Sequence, residues 1–178
     1  MAGFVLGYVS VIFTILIAAL LVPAMNQGRG RANSIKCVSQ MRQIGLAFRI
    51  WGVDHNDAFP FNVSTNQAGT KEFCATGAAG FDNNAWIHFM SLSNELGKTS
   101  VLICPQDTSK HAASDFASLS AASVSYRLRT GPDLNDNTSE ILAECPIHGN
   151  RLLCNGNVEE KPRSRRLGRP RSSQTQEQ

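Results

Sequence analysis

The segment CPIHGNRLLC holds Cys145, His148 and Cys154, side chains that can bind a soft metal or act through a thiolate, and Cys104 is a further thiol that the fold can bring near them. Zinc takes cysteine sulfur and histidine nitrogen, but its strong signatures contain two pairs of closely spaced ligands, and this single cluster matches none of them. Structural thiols, or one disulfide between Cys145 and Cys154 across adjacent strands, account for the same residues. A cysteine nucleophile with His148 as base also needs an orienting group and an oxyanion donor, and no residue marks either. The reading is therefore non-enzymatic, with no catalytic residue. Cys37 and Cys74 bring the cysteines to five, so at most two disulfides form and one thiol is left over.

A second constellation, PDLNDN, offers the oxygen atoms of Asp133, Asn135 and Asp136 in one loop. Its spacing is not that of an EF-hand, and an Asx-rich turn has the same composition, so it is a weak candidate for calcium. No other cofactor is expected. His55 in VDHND reads as a solvated residue at a helix end, and Trp51 and Trp86 read as core anchors.

Charge separates the chain into parts. Residues 36–160 hold nine Lys and Arg against thirteen Asp and Glu, whereas residues 161–178 hold six basic residues and one Glu. The body is mildly acidic and the basic balance comes from the tail, so a nucleic-acid partner is not expected beyond what the tail alone would touch.

The elements that must position these residues begin with FVLGYVSVIFTILIAALLV, a charge-free run from Phe4 to Val22. At ~1.5 Å rise per residue it spans ~28 Å, which predicts a transmembrane helix. A helical pattern resumes after Pro23, with Ile35, Val38, Met41, Ile44, Phe48 and Trp51 at three- and four-residue steps forming an apolar packing face. Pro23, Gly28 and Gly30 mark a hinge within one composite helix, since proline and glycine are the poorest helix formers. The helix is expected to end in GVDHNDAFP, before Pro60.

Beyond Pro60 a long Gly- and Asn-rich loop precedes a short helix in AWIHFMSLSNELG, stopped at Gly97. SVLICP, SVSYRLR, SEILAECP and RLLCNGNV read as four short strands. Strands without intervening helices predict an α+β class, with a small antiparallel sheet packed on the long helix. The expected organisation is an N-terminal segment at 1–22, an amphipathic continuation with its terminating loop at 23–59, a globular head at 60–160, and a disordered basic tail at 161–178.

Taken together, AALLVPAM, IKCVSQMRQIGLAFRIWGVDHNDAFP, WIHFMSLSNELG, ICPQDTSKHAASDFASLS, VSYRL and CPIHGNRLLCNGNV resemble the type II secretion pseudopilins and type IV pilin-like proteins of bacteria, especially the group found in planctomycetes and verrucomicrobia. The resemblance covers residues 4–158. It implies a pilin-like fold with a long helix laid on a small antiparallel sheet, anchored once in the inner membrane with its head in the periplasm. It implies a structural role in a secretion or pilus-like assembly, through helix stacking in place of catalysis. The implied partners are membrane lipid, other pilin-like subunits, the secretion machinery and a prepilin peptidase acting at Gly3-Phe4. It also implies a calcium site in the late sheet region, where Asp133, Asn135 and Asp136 lie. The chain departs from the family where a glutamate is usual: Tyr8 or Leu6 stands there, depending on the alignment. Arg29 and Arg31 also follow the apolar run with no basic residue before it, opposite to the positive-inside pattern. The alternatives are a membrane-tethered periplasmic domain that binds metal or acts through a thiol, and a DNA-binding minor pilin.

Overall fold

A computed structural model describes residues 2–77, 80–135 and 139–161; within the long helix it describes the side chains at 13–17, 19, 25 and from 28 onward. Asp136 and residues 162–178 lie outside the described residues.

Helix α1 runs from Ala2 to Val53 without a break, passing through Pro23, Gly28 and Gly30. Gly28 and Gly30 have open space around them, so no neighbour demands a glycine at either position. The helix stops where Asn56 and Asp57 adopt positive φ, a conformation that Asn and Asp tolerate better than most residues. Gly3 and Phe4 fall in its first turn, with their side chains outside the described ones.

The expectation of a membrane-spanning first half is corrected. Among the described residues, no helix is long and apolar enough to cross a membrane. From Arg29 onward, charged and polar positions recur along the helix.

The packing face is also shifted from the expected stripe. Val38, Met41, Ile44, Phe48 and Trp51 are buried, together with Cys37, Ala47 and the half-turn partner Gln40, whereas Ile35 is 70% exposed. At ~100° per residue, Ile35 lies ~120° round the helix from Met41, off the line that the head covers. Gly45 takes a place on that line because the sheet comes so close: a Cβ there would stand 2.8 Å from Leu152 Cδ1 and 3.4 Å from the Gly156 backbone.

The head is built mostly of short 3-10 turns and loops between the helix and the sheet. Helix α2 (Ala85–Met90) and helix α3 (Ser93–Leu96) divide what the periodicity reads as one short helix, and Gly97 ends α3 with φ of 67°. The sheet contains β1 (Arg127–Leu128), β2 (Ile141–Glu144), β3 (Arg151–Leu153) and β4 (Val158–Glu159), all antiparallel in the order β1-β2-β3-β4. SVLICP contributes no strand: Thr99–Leu102 is a 3-10 turn, held to β1's approach by Ser125 N–H donating to the Leu102 carbonyl at 2.9 Å. The fourth strand comes from RLLCNGNV, which folds back on itself. Gly156 at φ of 83° turns the chain between Leu153 and Asn157, the conformation that an Asn-Gly pair supplies at low cost.

One apolar core joins helix to head. Phe48 packs its ring against Phe59, Phe61 and Phe89 at centroid distances of 5.4, 6.1 and 6.0 Å, mostly edge to face. Trp51 is buried, and His55 stacks on it at 3.6 Å while its Nδ1 donates to the Trp51 carbonyl at 2.8 Å. That ring caps the end of α1; Trp86 is half-buried against the same core.

Candidate functional site

Four ligand-type side chains from separate elements meet under α1. Cys37 comes from the helix, Cys104 from the turn after the 3-10 segment, Cys145 from the end of β2, and His148 from the connection between β2 and β3. Their three sulfur atoms and one nitrogen all lie within 4.8 Å of one another. Cys145 Sγ is 3.7 Å from Cys104 Sγ, and His148 Nδ1 is 3.3 Å from Cys104 Sγ and 3.7 Å from Cys145 Sγ. All three cysteines are fully buried.

Local sequence explains two corners of this cluster. Cys104-Pro105 and Cys145-Pro146 each open a turn, closed by Asp107 N–H on the Cys104 carbonyl at 2.9 Å and by Gly149 N–H on the Cys145 carbonyl at 2.7 Å. Such turns aim following backbone N–H groups at the sulfur: Gln106 at Cys104, and Ile147 and His148 at Cys145. The His148 N–H reaches Cys145 Sγ at 3.4 Å. Tyr126 and Asn150 point their O–H and N–H donors at Cys37 Sγ, each at 3.8 Å. Tyr126 also donates to Gln40 Oε1 at 3.0 Å, and Gln40 donates on to the Ser100 carbonyl at 3.1 Å.

These donors divide the thiols electrostatically. The Cys37 thiol donating to Cys145, assisted by the backbone N–H groups of His148 and Ile147, brings Cys145 down to about 5. The contact with Cys145 and burial push Cys37 up, and burial pushes Cys104 up to about 11. His148 Nε2 is buried with no hydrogen-bond partner among the described residues.

Cys154 stands apart from this group, a correction to the Cys145–Cys154 pairing. Among the described residues, which include all five cysteines, no disulfide forms. The hairpin register explains why: Cys145 N–H bonds the Asn150 carbonyl at one end, and Cys154 N–H bonds the Glu140 carbonyl at the other.

A second polar group is buried beneath α2. Asp82 Oδ2 accepts from Thr130 Oγ1 at 2.7 Å, from the Ala75 N–H at 3.0 Å and from His88 Nε2 at 3.4 Å, while Oδ1 accepts from the Asn84 N–H at 2.7 Å. Thr70 Oγ1 donates to His88 Nδ1 at 2.6 Å. Burial pulls His88 below its ordinary value, and Asp82 opposes that only in part. Cys74 lies beside this network, lining a cavity of about 310 Å³ with Phe61, Lys71 and Thr130. Its thiol donates to the Phe61 carbonyl at 3.5 Å, and burial pushes it up, away from the thiolate that a nucleophile requires.

Of the candidate calcium ligands, Asp133 and Asn135 are exposed on the loop after β1, and Asp136 lies outside the described residues. Spacing along the chain identifies Cys145 and His148, Cys104 is a further thiol that only the fold brings near them, and Cys37, Tyr126 and Asn150 are missed. The paired Cys-Pro turns are the local signal that ties Cys104 to Cys145.

Comparison with protein-family models, curated proteins and solved structures returns no match.

Proposed function

We propose that the chain is a non-catalytic structural subunit of pseudopilin type, joining a type II secretion or type IV pilus-like assembly by stacking α1 against the α1 helices of neighbouring subunits. The observation that carries this reading is the division of one continuous helix. Its final part, from Cys37 to Trp51, lies on the head, while Phe13, Ile15, Leu16, Ile17 and Met25 upstream are 40 to 63% exposed. At ~100° per residue, Phe13, Ile15, Leu16 and Ile17 spread over ~200° of the helix circumference. Burying apolar surface yields ~25 cal/mol per Å², so these side chains favour a partner that encloses the helix. A bundle of like helices encloses it on several sides, whereas a single groove covers one. The face of the last turns that is turned away from the head mixes exposed Lys36, Arg42 and Gln43 with Ile35, Leu46, Ile50 and Val53, which are 47 to 75% exposed, so it too offers apolar surface to a neighbouring helix.

Replacing Leu16 and Ile17 together by Asp tests the reading. Sedimentation of the full chain should shift from assembled species to monomer, with the near-ultraviolet circular dichroism of Trp51 and Trp86 unchanged. An unaltered size distribution contradicts it.

A further inference from the structure

We propose that Cys37, Cys104, Cys145 and His148 form a structural zinc site that fastens α1 to the sheet. The proposal stands on geometry. A tetrahedral zinc with Zn–S of ~2.3 Å and Zn–N of ~2.0–2.1 Å separates two sulfur ligands by ~3.8 Å and a sulfur from a nitrogen by ~3.5 Å. The cluster has 3.7 Å between Cys104 and Cys145 sulfurs, and 3.3 and 3.7 Å from those sulfurs to His148 Nδ1. These are the three edges of one tetrahedral face, and the Cys37 sulfur lies within 4.8 Å of each of its corners.

Three independent features fit a metal better than a disulfide. A disulfide joins two sulfurs at ~2.05 Å and leaves the third thiol and the imidazole with no shared role. The buried donors converge on sulfur: Tyr126 and Asn150 at Cys37, and His148 N–H at Cys145, as thiolate ligands require for their residual charge. His148 presents Nδ1 to both Cys104 and Cys145 sulfurs, the atom and direction that a ligand to a shared ion needs. Three cysteines and one histidine are a donor set of closed structural zinc sites, with no position left open for a substrate.

Binding is ligand exchange without redox change. Zinc sheds its coordinated waters, Cys37, Cys104 and Cys145 bind as thiolates with any thiol protons released to solvent, and four protein–zinc bonds form. Because the ligands come from four positions along the chain, the ion adds folding free energy by closing long loops between helix and sheet.

The test uses the full chain, purified under reducing conditions and incubated with zinc or cobalt. About one zinc per chain should survive desalting, and cobalt should give the intense visible absorption of a tetrahedral thiolate site. X-ray absorption at the zinc edge of the unmutated protein should show three sulfur and one nitrogen neighbour. This measurement is independent of whether any variant folds. Cys37→Ser and Cys145→Ser should each reduce retained zinc at least tenfold, whereas Cys74→Ser and Cys154→Ser should retain it. No bound zinc, a neighbour shell dominated by oxygen or nitrogen, or a peptide map showing a disulfide among Cys37, Cys104 and Cys145 in the protein from cells would overturn the proposal.

Discussion

His88 has no exposed surface and makes both of its ring hydrogen bonds inside the head, one to Thr70 and one to Asp82. Burial disfavours its charged form, so its folded pKa lies below the ordinary value near 6.5. When pH falls, the unfolded chain therefore takes up the proton first, and stability is lost from about 6.5 downward as pH approaches the folded value. Urea midpoints measured at pH about 7.5 and about 5.5 should differ, with the lower at acid pH, and the His88 ring should titrate below 6.5 by NMR. Identical midpoints together with a His88 titration at or above 6.5 would contradict this assignment. Individual residues were partly legible before folding: Cys145 and His148 declare themselves by proximity along the chain. Cys154 looks equally close, but antiparallel pairing sends it to the far end of the hairpin. Cys37 carries no local sign of its role, because its partners arrive from other elements.

At the scale of elements, α1 and β3 are held together by a close approach at Gly45. Any larger side chain there meets Leu152 and the backbone of Gly156. Gly45→Val should cost ~1–3 kcal/mol by overpacking, read as a lowered urea midpoint with an unchanged slope. Gly69 is tighter still: a Cβ would fall 2.0 Å from the Val63 carbonyl oxygen, backbone that cannot swing aside. Gly69→Ala should therefore destabilise the head by more than Gly28→Ala, which meets nothing; equal midpoints for the two variants would refute that packing. Periodicity locates α1's buried face except at Ile35, since the head determines where the stripe begins and how it leans. Strand SVLICP and helix AWIHFMSLSNELG are redrawn by tertiary contacts. Runs of four to six apolar residues fit a 3-10 turn as well as a strand, and their choice depends on what they pack against.

At the scale of the molecule, a compact head grips one end of a long helix, and among the described residues the upstream Phe13, Ile15, Leu16, Ile17 and Met25 are 40 to 63% exposed. The apolar run at the chain's start reads as a lipid-spanning segment by composition, because hydropathy alone does not distinguish lipid from a bundle of protein helices. Among the described residues the span is absent, and the proposed partner is protein. The α+β arrangement of one helix on an antiparallel sheet follows from strand signals that lack intervening helices, whereas convergence of four ligand residues depends on the completed fold. The most direct test of helix stacking places a photoreactive amino acid at Leu16 of the full chain in producing cells and identifies the adduct by mass spectrometry. The stacking account predicts a covalent link from position 16 to the α1 helix of a second pilin-like subunit. Adducts confined to lipid, or to the head of the same chain, would contradict it.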